Sequence, residues 1–168
     1  MKNLCKLSLL IALFFSSSPA WSFVHFEPGI GYNRGAQNAS KVQGIGLATK
    51  LGAEFSSFFV VADVGYHDIQ VGGTSSATST DLGLCIGGDF KTWRFWFTYV
   101  AAATLDIPSG ANTNAYSGDG MKLGMSGRLS KKAYMNLEFR FIDINDLNNN
   151  PVAQLMNVAF LSVSWKLL

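Results

Sequence analysis

The residues of this chain best suited to chemistry are two histidines and a set of opposed charges. His25 and His67 are the only histidines. Nucleophilic catalysis of the triad type needs a histidine within hydrogen-bond reach of a hydroxyl, with a carboxylate orienting the ring. His67 has Asp68 and Asp81 near it, along with the hydroxyls of Ser75, Ser76 and Ser79, but no His-x-Ser spacing occurs. Serines populate any turn-rich segment, so His67 reads as a solvated rim residue and His25 as an inward-pointing one. No catalytic residue is assigned, and the chain is not expected to be an enzyme. Cys85 has no second cysteine or histidine at ligand spacing, so neither a metal nor a cofactor is expected. The pairs Gly29, Gly31 and Gly44, Gly46 precede no helix and are not phosphate loops. Asn38-Ala39-Ser40 matches a glycosylation acceptor and reads here as loop chemistry, and Lys131-Lys132 reads as a solvated turn.

The charges matter through their positions. The 168 residues include 13 Lys+Arg and 11 Asp+Glu, a formal net charge of +2. So weak a bias gives no argument for a nucleic-acid partner. With 48% apolar and 14% charged residues, the composition also excludes a disordered chain. Lys2 and Lys6 precede an apolar run from Leu7 to Phe15, and small residues follow at Ala20 and Ser22. This is the layout of a cleavable signal peptide over residues 1–22, leaving one domain over 23–168. The apolar run is about half of the ~20 residues a membrane helix requires. Removing the signal removes both surplus cations, so the remainder is formally neutral.

Beyond residue 22 the side chains alternate with a period of two. The alternation runs over 24–33, 44–55, 58–67, 82–90, 93–105, 121–129, 133–141 and 158–167, which predicts eight strands. The connections predict tight turns at Ser56-Ser57, Lys91-Thr92 and Ser130 to Lys132, and longer loops over 34–41, 71–79, 106–114 and 146–153. Short turns at one end, longer loops at the other and an even strand count predict an all-β, eight-stranded antiparallel up-and-down transmembrane β-barrel.

The two faces support the membrane reading. One carries Phe, Leu, Val and Trp almost without charge, and the other mixes ionisable groups with nine of the 17 glycines. A narrow interior has room for small residues beside long charged ones. Phe55, Phe58, Phe90, Trp93 and Trp165 cluster at the turn end, and Tyr32, Tyr66 and Phe141 near the other, as two membrane interfaces favour. A two-residue turn at Ser56-Ser57 sets Lys50 opposite Asp63, and one at Lys91-Thr92 sets Asp89 opposite Arg94. A three-residue turn over Ser130 to Lys132 sets Lys122 opposite Arg140, with Glu138 diagonal to Lys122. The polar face then holds Glu27, Glu54, Asp63, Asp89 and Glu138 against Lys50, Arg94, Lys122, Arg128 and Arg140. Buried charge is tolerable when paired, so a plugged, charge-balanced lumen is expected.

In these features the chain resembles the small eight-stranded outer-membrane barrels of the OmpA/OmpX-like class. The resemblance covers essentially Phe23 to Leu168 and rests on architecture. It implies an outer-membrane location with both mature termini in the periplasm, and contact with outer-membrane lipid and lipopolysaccharide. In that class the assembly machinery reads an aromatic-containing final strand, which Trp165, Leu167 and Leu168 resemble, although the last residue is commonly aromatic. A structural or surface-interaction role follows. Two other readings are weighed: an enzyme acting on lipid A, which in some small barrels uses a histidine, a serine and a carboxylate, and a narrow channel for small solutes.

Overall fold

A computed structural model describes residues 23–73, 75–109 and 112–167. The signal peptide expected over 1–22 lies outside the described residues. The period-two segments form eight strands: β1 (Phe23–Gln37), β2 (Ser40–Phe55), β3 (Phe58–Val71), β4 (Ser75–Phe90), β5 (Trp93–Ser109), β6 (Asn112–Arg128), β7 (Ala133–Leu147) and β8 (Asn150–Trp165). Each pairs antiparallel with the next, and β1 pairs with β8 from Gly29↔Ser164 to Gln37↔Met156, closing the barrel. Closure removes the open sheet edge along Gly29 to Gln37, and a closed sheet is the condition for crossing lipid with strands.

The turn-end registers match the turn arithmetic. Phe55 faces Phe58 and Lys50 faces Asp63 across β2 and β3. Phe90 faces Trp93 and Asp89 faces Arg94 across β4 and β5. Lys122 faces Arg140 across β6 and β7.

The far end departs from expectation. The four segments predicted as longer loops are mostly strand, and hairpins replace them. Their residues also alternate, with Ala77 buried inside the barrel and Val71, Ile107 and Val152 packed against the apolar cluster there. The connections narrow to residues that tolerate positive φ, including Asn38, Gly72, Gly73, Asn148 and Asn149. Two asparagines tie hairpin tips to neighbouring strands. Asn38 N–H donates to the Leu155 carbonyl at 2.9 Å while its Oδ1 accepts from Leu155 N–H at 3.3 Å. Asn148 does the same with Ala115, at 2.9 Å in each direction. The amide side chain thus completes a ladder the turn would otherwise interrupt.

Alternation continued from Trp93 sets Ala103 and Leu105 on the outer face, and there it fails. Register shifts between Leu82 and Gly83 on β4 and between Val100 and Ala103 on β5 mark irregular pairing there. Ala101 and Ala102 are both exposed, and beyond them Ala103 and Leu105 are buried inside rather than facing outward. A β-bulge inserts one residue and so transfers every later side chain to the opposite face.

Strands of 14 to 17 residues at ~3.3 Å per residue and a tilt near 40° rise roughly 40 Å, against an apolar band of ~25 Å in such barrels. The outer surface reflects this difference. From the turn end to the level of Tyr32, Tyr66 and Tyr99 it is a wall of exposed apolar and aromatic residues, among them Leu51, Val60, Leu84, Phe97 and Leu161. Beyond that level Asp68, Gln70, Asp143, Asn145 and Asn157 face outward.

Candidate functional site

The lumen gathers the chemistry of the chain. Inward positions of all eight strands meet there, and its middle is a cluster of buried ions. On β3, Asp63 accepts from Thr98 Oγ1 at 3.0 Å and lies 3.3 Å from Lys122 Nζ and 4.0 Å from Lys50 Nζ. On β4, Asp81 receives Lys122 Nζ at 2.5 Å and Arg140 at 2.6 Å. Glu138 lies 3.7 Å from Lys50 and 3.8 Å from Lys122, and accepts from Trp96 Nε1 at 3.0 Å. Toward the turn end, Glu27 on β1 accepts from Arg94 at 2.6 Å and from Ser164 Oγ at 2.6 Å. Four carboxylates and four cations thus share one buried space, each with opposite charge beside it, the arrangement that makes charge burial tolerable.

Aromatic groups close this cluster toward the turn end. The Arg94 guanidinium lies 4.9 Å from the ring centre of Phe59 and 4.5 Å from that of Tyr134, and Lys50 Nζ lies 4.7 Å from that of Trp96. Interior glycines leave room for these groups. A Cβ on Gly124 would clash with the Trp96 indole at Cε2, Cζ2 and Nε1, and one on Gly65 would come 2.6 Å from His67 Nε2 and 2.7 Å from Asp81 Oδ2.

The ten residues expected to line the lumen divide. Glu27, Lys50, Asp63, Arg94, Lys122, Glu138 and Arg140 are buried together. Glu54 and Asp89 lie at the turn-end mouth, where Glu54 meets Lys166 at 2.5 Å and His25 at 3.0 Å, and Asp89 lies 3.6 Å from Arg94. Arg128 is not a lumen residue. Its side chain is 38% exposed at the rim, 3.3 Å from Asp89, because it ends β6 where the wall gives way to the turn. Asp81 belongs to the cluster although the sequence reading left it beside a loop. Its signal was parity: it continues the inward series of Gly83 and Cys85.

His67 also differs from expectation. It is buried rather than solvated, 3.4 Å from Asp81, with Asn33 Nδ2 at 3.1 Å from its Nδ1 and Phe160 edge-on at 5.2 Å. Strand pairing carries β3 well past it, so it sits in mid-barrel. Cys85 is buried and free, and no group of three or more His, Cys, Asp or Glu suited to a metal ion occurs among the described residues.

Beyond His67 the interior changes character. Val42, Ile69, Leu105, Ile142, Ile144, Met156 and Val158 form an apolar cluster that fills the far end. The remaining charges lie at the two ends. The turn end carries Lys91, Arg128, Lys131, Lys132 and Lys166 against Glu54 and Asp89. The far end reverses the balance, with Asp68, Asp106, Asp119, Asp143 and Asp146 against Arg34 and Lys41.

A closed eight-stranded barrel with an apolar outer wall and a polar, ionic interior is the fold of the small outer-membrane barrels. Solved structures agree. The chain is similar to Neisserial surface protein A over 85% of its own length and 96% of that chain, with a TM-score of 0.58 and 10% identity. It is also similar to Ail, the attachment invasion locus protein of Yersinia pestis, over 84% of its own length and 96% of that chain, with a TM-score of 0.53 and 8% identity. Ail in complex with the heparin analogue sucrose octasulfate matches over 84% and 97%, with a TM-score of 0.56 and 7% identity. The likeness is one of fold. No family model and no curated protein matches the sequence.

Proposed function

We propose that this protein is an integral barrel of the outer membrane with a structural or surface-interaction role and a lumen plugged against solutes. The observation that carries the reading is the filling of the interior. The space among Glu27, Lys50, Trp96, Glu138 and Phe160 amounts to about 10 Å³, on the order of one water, and the apolar cluster stoppers the far end. In this reading lipid and lipopolysaccharide surround the wall, the assembly machinery reads the strand ending at Trp165, and both termini face the periplasm. The polar far end then projects from the membrane, where a surface partner would meet short hairpins. Two fold neighbours named as a surface protein and an attachment protein support that role. A non-catalytic reading is favoured because both histidines are engaged inside the barrel, His67 by Asp81 and Asn33 and His25 by Glu27 and Glu54.

The test is reconstitution. The folded protein is expected to migrate differently on a denaturing gel before and after boiling, and to leave planar bilayers silent. Stable single-channel openings would overturn the plug, and identical migration with solubility in plain buffer would overturn the membrane reading. Lipid A from expressing cells is expected to keep its mass, and a changed acyl pattern would restore the enzyme reading.

A further inference from the structure

The cations of the turn end form one continuous feature. Lys91 and Thr92 make the β4–β5 turn, and the Thr92 carbonyl accepts from Arg128 N–H at 3.0 Å. Lys131 and Lys132 occupy the β6–β7 turn, and the Lys132 carbonyl accepts from Lys166 N–H at 2.8 Å. Backbone hydrogen bonds therefore stitch two turns and the end of the last strand into a basic arc along one side of the rim.

Its charge is only partly answered by the protein. Arg128 lies 3.3 Å from Asp89 and Lys166 lies 2.5 Å from Glu54. Lys91, Lys131 and Lys132 are exposed, and among the described residues no carboxylate comes within ion-pair distance of them. Just above the arc, Phe90, Trp93, Phe95 and Trp165 present exposed rings on the outer wall. Aromatic rings of this kind seat at the headgroup level of a bilayer, so the arc lies at the height of lipid phosphates. The opposite end has the opposite charge balance and cannot offer the same surface.

We propose that this arc binds the headgroups of anionic glycerophospholipids in the leaflet at the turn end. The proposal rests on the reading of the chain as an outer-membrane barrel and adds a lipid class and a place. Lysine suits the task as a flexible point charge that tracks phosphodiester groups in a fluid layer. Attraction between clustered cations and an anionic lipid surface accumulates with each cation and is screened by salt.

Trp93 and Trp165 lie beside the arc and report on it, whereas Trp96 is buried in the lumen. Protein extracted from the membrane is reconstituted into phosphatidylcholine vesicles containing either brominated phosphatidylglycerol or brominated phosphatidylcholine, and tryptophan quenching is followed. Brominated phosphatidylglycerol is expected to quench at roughly threefold lower mole fraction at low salt, with the preference collapsing near 1 M salt. The triple substitution Lys91→Gln, Lys131→Gln, Lys132→Gln is expected to abolish the preference, and Arg34→Gln with Lys41→Gln at the far end to retain it. Equal quenching by both lipids in the unaltered protein, or a preference that survives the triple substitution, overturns the proposal. Boiled and unboiled migration is read on every sample. A protein that inserts yet shows no preference refutes only the arc, while one that never inserts refutes the outer-membrane reading beneath it.

Discussion

The same strands are built in opposite senses in their two halves. On β3, Val60, Val64 and Tyr66 face outward while Asp63 and His67 face in; two residues later Asp68 and Gln70 face outward and Ile69 faces in. On β7 the inward series runs Glu138, Arg140, Ile142, Ile144 and the outward one Phe139, Phe141, Asp143, Asn145. The side-chain period never changes, but the residue class on each face does, as the proposed membrane setting would require. In the half that the proposed reading sets in lipid, apolar surface needs no burial in protein, so the interior is left to charges that satisfy one another. Beyond the tyrosines, where the proposed reading has water meeting the wall, the hydrophobic effect drives apolar side chains inside as in a soluble protein. One half is specified chiefly by electrostatic pairing and the other by packing.

That contrast can be broken most severely in the ionic half. Asp63→Lys sets a third ammonium beside Lys50 and Lys122, and no folded, heat-modifiable species is expected on refolding. Adding Lys50→Asp should partly restore that species, since Lys122 remains held by Asp81; absence of rescue would overturn the assigned pairing. In the apolar half, Leu105→Ala should leave a folded protein destabilised by roughly 2 to 4 kcal/mol, read from urea unfolding in lipid vesicles. An equal loss from Asp143→Ala on the outward face would erase the distinction between the two faces.

Smaller effects sharpen the comparison. Gly124→Val forces Trp96 from its place over Lys50 and beside Glu138, for about 1 to 3 kcal/mol of overpacking. The near-ultraviolet circular dichroism of the folded protein should change with it, while Leu105→Ala should leave that signal intact. Asn148→Ala removes one side-chain hydrogen bond at the far end, worth about 1 kcal/mol. Hydrogen exchange should accelerate at the Ala115 amide and not in the ionic half.

The reach of sequence reasoning follows the same division. Lys50 with Asp63 and Asp89 with Arg94 were legible because a two-residue turn sets the register and a period of two sets the face. The far end was read as loops because Asn, Gly, Ser and Thr are turn formers, and Ala77, Ile107 and Val152 reveal strands only once a core exists for them to pack against. Arg128 obeyed parity yet lies at the rim, since parity states a direction and not a height along the barrel. The bulge at Ala101 and Ala102 carried no warning in residue type.

Strand number, antiparallel order, an apolar wall and an ionic interior are local properties, encoded in alternation and turn chemistry within each hairpin. The partners inside the lumen are not local. Arg94 on β5 reaches Glu27 on β1, Arg140 on β7 reaches Asp81 on β4, and Lys122 on β6 reaches Asp63 on β3. None of these pairs lies on strands adjacent in the sheet. Each becomes a contact only when β1 meets β8 and the rolled sheet brings opposite walls within the length of two side chains. Closure therefore decided which charges neutralise one another, how little space remains between them and where the ionic interior gives way to the apolar one.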